Sequence, residues 1–371
     1  MSPLSRRTFL QRTAAGAAAL SWPRTPISSA QTETNRRPLG YAVVGIGQLA
    51  RGEVIPAFTQ TQHSRLIGFV SGDPQKAARF ARQYGVPEKN IYNYQNYGRM
   101  ASNPDIDAVY IALPNNMHAE YTIRAAQAGK HVLCEKPMAN SARDCEEMIE
   151  ACRHAGKKLM VAYRLQYEPN NLEAARMARS GELGKVKLIE AQFAFIIGDP
   201  TQWRLKKAMS GGGPLVDIGI YCIQAAKYLS GEEPVSVAAH AWSTDPVKFR
   251  EVEENISFTL HFPSGLAANC YSSYGVNGIN EYRAVGPKGG VEMGPAYSYR
   301  DLRLRAWKRP HAPEDRTLPE QNQFAAEIDR FSLDIAENRN PKASGEMGLQ
   351  DVKIITAIYQ AGESGGTVKV G

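Results

Sequence analysis

Apolar and polar residues follow two different patterns along the chain. Between Leu39 and about Arg164, short β-branched apolar runs alternate with amphipathic stretches of helical period. Strands and helices that alternate in this way predict parallel βαβ units with right-handed crossovers. The predicted strands are Tyr41–Ile46, Leu66–Ser71, Ala108–Leu113, His131–Cys134 and Leu159–Tyr163, and the predicted helices are Pro74–Tyr84, His118–Ala128 and Ala142–Ala155.

After about Asn170 the apolar residues follow longer alternating runs, typical of an antiparallel sheet with one covered face. The predicted strands are Val186–Ile197, Val235–Ser243, Ile256–Phe262, Leu266–Ser273 and Thr367–Val370, and the predicted helices are Gly213–Leu229, Gln321–Glu337 and Leu349–Ala361. We therefore predict an α/β fold. A Rossmann dinucleotide-binding domain covers 39–165, and an α+β domain with a large, mostly antiparallel open sheet covers 166–371. The C-terminal helices can pack back on the first domain, and the open sheet offers a homodimer face.

The first thirty residues are predicted to be a targeting signal. Ser5–Gln11 contains two consecutive arginines and resembles the twin-arginine export motif, and the weakly apolar run Ala14–Trp22 follows it. That run is too short to anchor the protein stably in a membrane. Small residues at Ser28–Ala30 predict cleavage before Gln31, which leaves 31–38 as a linker. The alternative is a frayed tail that happens to contain arginine.

Export by this route makes the twin-arginine machinery a predicted partner and the periplasm the predicted location. The route carries folded proteins, which suits a protein that must take up a nucleotide in the cytoplasm.

The leader also explains part of the basic charge. The whole chain has 44 Lys and Arg against 37 Asp and Glu, a net charge of +7. Without the four arginines of the leader the net charge falls to +3. A charge this small gives no reason to expect a nucleic-acid partner.

Five cysteines are present, and their spacing fits no metal motif. Their positions are Cys134, Cys145, Cys152, Cys222 and Cys270. Buried free thiols are predicted, because two of them lie in apolar runs. One disulfide in an oxidising compartment stays open as an alternative, and no metal site is expected.

The segment 45–50 reads G-x-G-x-x-A directly after an apolar run, which is the dinucleotide fingerprint in its required context. Gly45 permits the tight turn, Gly47 lets the backbone approach a pyrophosphate, and Ala50 allows close packing of helix on strand. Gln48 and Leu49 open the helix whose N-terminus faces the phosphates. A purely structural glycine turn is the alternative.

The end of the second strand bears on the choice of nucleotide. Ser71 and Gly72 stand where NAD-dependent enzymes usually place an acid, and Lys76 follows four residues after Gly72. A hydroxyl, an open glycine and a cation suit the 2′-phosphate of NADP. Asp73 either binds the ribose of NAD or caps the helix that begins at Pro74, and we favour capping and NADP.

Polar residues follow the strand that ends at Leu113, at the edge where open α/β sheets bind ligands. Asn115 and Asn116 are candidates to contact the nicotinamide ribose together with Leu113, although turn formation and helix capping also explain asparagines here. His118 is a further cofactor-site candidate, more consistent with a helix start than with a catalyst.

Glu135 and Lys136 follow the next strand, and Pro137 holds Lys136 in extended backbone from which it can point into the cleft. Asp217 and Tyr221 are spaced i and i+4, one helical turn apart on one face. A free tyrosine has a pKa of about 10, and the Lys136 ammonium would favour the tyrosinate needed to accept a proton. An ordinary surface lysine, a core tyrosine and a capping aspartate are the alternatives.

Aromatic and arginine side chains are further candidates for the site. Trp203 and Arg204 offer a flat apolar face and a fork of hydrogen-bond donors, which suit a sugar and the nucleotide beside it. Tyr163, Arg164 and Tyr167 are similar candidates at the domain junction. Each of them could equally pack at an interface.

These motifs together resemble the Gfo/Idh/MocA oxidoreductase family, over essentially the whole of residues 39–370. The resemblance lies in the glycine fingerprint, 113–118, Glu135-Lys136-Pro137, Tyr163-Arg164 and the segment 217–221, all in family order. Within the family, the chain is most similar to the sugar–sugar oxidoreductases of the glucose–fructose and aldose–aldose types. The features that carry this closer similarity are Ser71-Gly72 with Lys76, the segment 202–204, the glycine triplet 211–213 and Tyr221, where many members have His.

The resemblance implies tightly bound, non-exchanging NADP, with Lys136, Asp217 and Tyr221 at the active site. It implies ping-pong oxidation of an aldose at C1 to the aldonolactone, followed by reduction of a second sugar to an alditol. The glucose–fructose type has a long proline-rich arm before its first strand, whereas only 31–38 precedes the fold here. This difference favours a homodimer over a tetramer. An NAD-dependent glycosidase of the same superfamily and a non-catalytic sugar-binding protein are the alternatives.

Overall fold

The computed structural model describes residues 37–371. The predicted signal peptide and all of the predicted linker except its last two residues lie outside the described residues. Pro38–Gly371 form one compact unit. Within residues 37–371 no helix combines the length and the apolar character needed to cross a membrane.

The first sheet is parallel and six-stranded, with the order β3-β2-β1-β4-β5-β6. Its strands are β1 (Leu39–Val44), β2 (Ser64–Val70), β3 (Ile91–Tyr92), β4 (Ala108–Ile111), β5 (His131–Glu135) and β6 (Leu159–Ala162). The associated helices are α1 (Ile55–Ala57), α2 (Pro74–Tyr84), α3 (His118–Gln127) and α4 (Ala142–His154), and the π-helical turn Ala50–Val54 precedes α1. This strand order is that of the Rossmann fold, and it confirms the predicted class.

The second sheet has nine strands in the order β14-β13-β12-β11-β7-β10-β9-β8-β15. Its strands are β7 (Leu188–Ala194), β8 (Ser236–Trp242), β9 (Asn255–His261), β10 (Ala267–Ser273), β11 (Ile279–Gly286), β12 (Gly289–Met293), β13 (Leu304–Lys308), β14 (Glu314–Asp315) and β15 (Val368–Lys369). Only the pair β7–β10 is parallel, so the predicted mostly antiparallel sheet is confirmed. The remaining helices are α5 (Pro169–Arg179), α6 (Lys207–Ser210), α7 (Ile220–Ser230), α8 (Gln323–Ala336) and α9 (Gly345–Ser364).

Several elements differ from the prediction. Strand β1 ends at Val44 instead of Ile46, because Gly45 turns the backbone to a φ of +91°. The predicted helix Gly213–Leu229 is a π-helical turn over Leu215–Gly219 that continues into α7. The prediction also missed β3, the strands β11–β14 and helix α5.

The last two helices return to the first sheet. Asp329 of α8 accepts hydrogen bonds from the backbone N–H of His63 at 2.9 Å and from the hydroxyl of Ser64 at 2.8 Å. The N–H of Val161 in β6 donates to the carbonyl of Ala343, just before α9, at 2.8 Å. Both halves of the chain therefore share these helices.

Candidate active site

The glycine loop after β1 has the geometry that a dinucleotide requires. A Cβ added to Gly45 would lie 2.5 Å from the carbonyl oxygen of Ala112, so only glycine fits there. A Cβ added to Gly47 would meet no protein atom within 4 Å, which leaves that face of the loop open. Gln48 is exposed and Leu49 half-buried at the start of the following helix. The residues present therefore fit a pyrophosphate on this helix N-terminus.

Asp73 caps α2, as predicted. Its carboxylate accepts the backbone N–H of Lys76 at 2.9 Å and lies 3.6 Å from the Lys76 ammonium. This backbone hydrogen bond lowers the pKa of Asp73. Gly72 packs closely on the ring of Tyr94, since an added Cβ would lie 3.0 Å from it, and Ser71 bonds the backbone of Asp73. Asp73 is thus already engaged in holding the helix start.

Of the predicted site residues after β4, one is exposed and two are bonded to other parts of the protein. Asn116 is exposed at the sheet edge, whereas Asn115 donates to the carbonyl of Ser210 at 2.8 Å and joins this edge to α6. His118 is fully buried, and its ring nitrogens lie 2.9 Å from the carbonyls of Leu113 and Pro137. Burial lowers the pKa of His118. Because both nitrogens face backbone carbonyls, neither ring nitrogen is left for the predicted cofactor contact, and His118 begins α3, in line with the favoured helix start.

Lys136 and Asp217 form the centre of the site. The ammonium of Lys136 donates to the Asp217 carbonyl at 2.6 Å and lies 3.3 Å from its carboxylate. Arg204 Nε donates to the other carboxylate oxygen at 2.9 Å, and the hydroxyl of Tyr274 donates to that oxygen at 2.8 Å. Lys136 directly follows strand β5, and Asp217 lies in the π-helical turn Leu215–Gly219. The Asp217 carboxylate therefore links Lys136 to Arg204.

The charges of these groups are mutually stabilised. Burial opposes the charged form of Asp217, but Arg204, Lys136 and the Tyr274 hydroxyl hold the pKa of this carboxyl well below its usual range. Burial also opposes the charge on Lys136, yet its neighbours Tyr221, Asp217 and Glu135 raise the pKa of Lys136 above its usual value. At neutral pH the Asp217 carboxylate thus lies between the cations of Lys136 and Arg204.

Tyr221, at the second position of α7, lies against this cluster. The Lys136 ammonium is 4.7 Å from the centre of its ring, and the Arg164 guanidinium is 5.0 Å from it. Arg164 is itself buried and is held by the carbonyls of Ser298 and Tyr297. Two cations therefore stand at the ring of a half-buried tyrosine.

Trp203 and Arg204 occupy a short helical turn at the same cleft, and the guanidinium lies 4.7 Å from the indole ring. Tyr163 and Tyr167 lie elsewhere. The Tyr163 hydroxyl donates to Asp351 in the core, and the Tyr167 hydroxyl contacts the sulfur of Met160 at 3.6 Å. With both hydroxyls engaged away from the cleft, these two residues are corrected from sugar ligands to packing residues.

Glu135 has partners in the core rather than at the predicted cofactor. The hydroxyl of Tyr110 lies 2.7 Å from the carboxylate of Glu135 and 3.1 Å from that of Glu327. One hydroxyl has one proton, so one carboxyl must keep its own. Burial raises the pKa of both carboxyls, and the neighbouring Glu135 raises that of the fully buried Glu327 further. Glu135 also accepts the backbone N–H of Lys136 at 3.3 Å.

Two tyrosines of the site were missed from the sequence. Tyr274 immediately follows a predicted strand, and its position at a strand end was the available signal. Tyr299 lies on a loop whose sequence has no period, yet its ring is 4.6 Å from the Arg164 guanidinium and 40% of it is exposed. The adjacent Arg300 pairs with Glu53 of the first helical turn at 2.9 Å, which joins this loop to the glycine loop region.

All five cysteines are buried and unpaired. Among residues 37–371 no group of three or more His, Cys, Asp or Glu side chains is arranged to hold a metal ion.

Comparison with protein-family models decides the family. Residues 39–163 match the model described as an oxidoreductase family with an NAD-binding Rossmann fold, and residues 171–292 match the GFO/IDH/MocA C-terminal domain. The chain belongs to the GFO/IDH/MocA oxidoreductase family. The resemblance noted from its motifs is thereby confirmed.

Three relatives within or near this family are informative. The crystal structure of an aldose–aldose oxidoreductase from Caulobacter crescentus, complexed with glycerol, is 50% identical with a TM-score of 0.87, over 90% of this chain and 100% of that chain. A D-xylose 1-dehydrogenase [NADP(+)] from Haloarcula marismortui is 30% identical over 92% of this chain and 95% of its own. KijD10, a 3-ketoreductase from Actinomadura kijaniata solved with NADP and TDP-benzene, is 25% identical with a TM-score of 0.78, over 88% of this chain and 98% of its own.

Proposed function

We propose that this oxidoreductase oxidises an aldose at C1 to the aldonolactone and reduces a second sugar, an aldose or a ketose, to the alditol. The observation that carries the proposal is the cluster of Lys136, Asp217 and Tyr221, in a chain that also has an open glycine loop after β1. Similarity to a solved aldose–aldose oxidoreductase and to an NADP-dependent xylose dehydrogenase supports the substrate class and the cofactor.

The residues of the cluster divide the proton chemistry among them. Tyr221 accepts the proton of the C1 hydroxyl in the first half-reaction and returns it to the second sugar, which is general acid–base catalysis. Lys136 and Arg164 stabilise negative charge on the phenolic oxygen while the proton is away. Lys136 also polarises the sugar oxygen, and Asp217 keeps Lys136 and Arg204 in place.

The chemistry that a bound nicotinamide dinucleotide supplies here is exchange of a hydride with the sugar carbon. The glycine loop would hold its pyrophosphate, and Ser71, Gly72 and Lys76 would hold the 2′-phosphate of NADP. Asn116, Trp203 and Arg204 lie at the cleft, where the nicotinamide end would bind. Non-exchanging NADP would let the two sugars react in turn without a supply of free nucleotide.

A spectrum of the purified, dialysed protein tests this proposal. Glucose added without nucleotide should raise the absorbance at ~340 nm, and a second sugar should reverse the rise. The reversing sugar identifies the acceptor class. If no nucleotide is released on denaturation and no change occurs, retained NADP is wrong. Release of nitrophenol from a nitrophenyl glycoside would instead favour a glycosidase.

The twin-arginine segment supports export to the periplasm as part of this proposal. Replacing Arg6 and Arg7 together by Lys should retain the protein in the cytoplasm, as measured by cell fractionation. Secretion of the double variant at the level of the unchanged chain would contradict this export route.

The uncovered face of the second sheet supports a homodimer. On β8, the buried Val237 faces the helices, whereas His240 and Trp242 are exposed on the opposite face. Their rings stack 5.5 Å apart, and Tyr271 of β10 continues the row 6.0 Å from Trp242. Sedimentation should give a dimer that Trp242→Glu dissociates, and a monomer at all concentrations would contradict this assembly.

A further inference from the structure

A carboxylate from outside the helix caps the turn that carries Asp217. Glu253 lies in the loop between β8 and β9, and its two oxygens accept the backbone N–H groups of Gly213 and Leu215, each at 3.1 Å. First-turn N–H groups have no partner inside a helix. Pro214, at the cap position, has no side-chain hydrogen bond to offer them. Glu253 therefore supplies the cap that the local sequence lacks.

Tyr359 of α9 holds this carboxylate in place. Its hydroxyl lies 3.0 and 3.1 Å from the two oxygens of Glu253, and it also accepts the N–H of Gly213 at 3.3 Å. The two side chains thus join three separate parts of the chain: the turn, the β8–β9 loop and the last long helix. A cavity of about 380 Å³ lies on the outer side of the pair.

The glycine triplet before the turn makes this contact possible. A Cβ on Gly212 would lie 2.0 Å from the hydroxyl of Tyr359. A Cβ on Gly213 would lie 2.5 Å from the carbonyl oxygen of Glu253. Any larger residue at either position would push the two polar side chains away from the turn.

The turn itself needs such support. Leu215–Gly219 is π-helical, a rare form that occurs mostly as single turns at functional sites. Asp217 lies two residues after the capped Leu215, and Tyr221 lies four residues after Asp217. Lys136, in contrast, follows β5 of the first sheet. A shift of the turn would therefore move Asp217 and Tyr221 together, away from Lys136.

We propose that Glu253, held by Tyr359, is a positioning residue that sets the turn so that Asp217 and Tyr221 meet Lys136. The catalytic part of this inference rests on the proposed function. Neither residue touches the cluster itself in the contacts described above, and their effect is transmitted through the backbone of Gly213 and Leu215.

The test compares Glu253→Ala, Glu253→Gln and Tyr359→Phe with Glu363→Gln, an exposed carboxylate on α9 that lines the same cavity. Amide hydrogen exchange over 213–219 should be faster in the first three variants and unchanged in the control. In Glu253→Ala, kcat should fall by about 100-fold, as expected for a small misplacement of reacting groups, while KM changes much less. Glu253→Gln keeps one acceptor oxygen and should recover part of the rate.

A double variant separates positioning from general loss of structure. In the Tyr221→Phe background, Glu253→Gln should cause a much smaller further loss of turnover, because the placement of the Tyr221 hydroxyl no longer matters there. If amide hydrogen exchange over 213–219 is unchanged in Tyr359→Phe and Glu253→Gln, Glu253 does not cap the turn. This result is independent of any sugar-converting activity. Faster exchange with unchanged kcat overturns the positioning role. If the unaltered protein converts no sugar, the proposed function fails, while the exchange data still test the cap.

Discussion

The protein contains two clusters built from the same three residue types. At the cleft, Lys136 pairs with Asp217 at 3.3 Å, and Tyr274 donates to the same carboxylate. In the core, Lys227 pairs with Asp351 at 2.7 Å, and the Tyr163 hydroxyl donates to it. Both clusters join α7 or its preceding turn to another part of the fold.

The two clusters differ in access and in charge. Side chains of Lys136 and Asp217 are 10% and 18% exposed, against 6% and 0% for Lys227 and Asp351. Lys227 faces two carboxylates, since Glu233 lies 3.1 Å away. In the cleft cluster, Asp217 faces two cations, Lys136 and Arg204, and Lys136 and Arg164 both lie near the ring of Tyr221. An excess of positive charge around Tyr221 can stabilise an oxyanion, whereas the Lys227 cluster, with two carboxylates for one cation, joins α7 to α9 in the core.

Of the substitutions in the two clusters, removal of the Tyr221 hydroxyl should have the largest effect on sugar turnover. Tyr221→Phe removes the proposed proton acceptor and should lower sugar turnover by about 1,000-fold, within the range of general acid–base catalysis. Sugar binding, followed by calorimetry, should persist because the cations and Trp203 remain. Turnover within a few-fold of the unaltered enzyme would remove Tyr221 from the chemistry.

Replacing each lysine by methionine should separate the two clusters. Lys227→Met leaves Asp351 buried without its cation, and we expect a loss of about 3–5 kcal/mol of unfolding free energy. The folded fraction should keep its kcat.

Lys136→Met should lower kcat more than it lowers stability, in contrast to Lys227→Met. We expect kcat to fall by about 100-fold with a smaller change in unfolding free energy, because Arg204 still pairs with Asp217. Denaturant unfolding and initial rates measure the two effects. Equal losses of stability in both variants would contradict the distinction.

The depressed pKa of Asp217 predicts how acid acts on the cleft cluster. A carboxyl whose pKa is lower in the folded state adds stability above its unfolded value of about 3.9, and that stability is lost as pH falls toward the folded pKa. Unfolding free energy measured between pH 6 and pH 3 should therefore fall by about 1 kcal/mol more in the unaltered protein than in Asp217→Asn. Parallel curves would contradict the ionised cluster.

The smallest effects should come from the two supporting hydroxyls. Tyr163→Phe should cost about 1–3 kcal/mol of stability, because buried Asp351 loses a donor, with kcat unchanged. Tyr274→Phe should instead lower kcat, because Asp217 loses one hydrogen-bond donor. The effect should be small, and the sugar KM should change less, because Lys136 and Arg204 still pair with Asp217. A lower kcat in Tyr163→Phe would show that Tyr163 belongs to the active site and would contradict its assignment as a packing residue.

The sequence was informative where a local pattern reports directly on structure. Gly45 and the run before it predicted the first strand and turn, and Asp73 before Pro74 predicted a helix cap. Tyr163 and Arg164 are neighbours in sequence but point to different places, Arg164 to Tyr221 and Tyr163 to Asp351. Sequence adjacency could not separate them.

The missed features depend on distant contacts. Tyr299 reaches the site, and Glu253 reaches the turn before Asp217, on loops without a period. Strands β11 and β12 were missed because glycines and charged residues interrupt their short apolar runs. Pairing with β7 defines β11, and pairing with β11 defines β12. The π-helical form of Leu215–Gly219, directly after the closely packed Gly212 and Gly213, has no signal in the local sequence.

Transfer of deuterium between two sugars tests the central claim most directly. The dialysed protein, without added nucleotide, is incubated with [1-²H]glucose and an unlabelled second sugar, and the products are analysed by NMR. The account predicts the label on the carbonyl-derived carbon of the alditol, together with unlabelled glucono-lactone, and no transfer by Tyr221→Phe. Alditol formed without deuterium, or no alditol from any sugar pair, would contradict it.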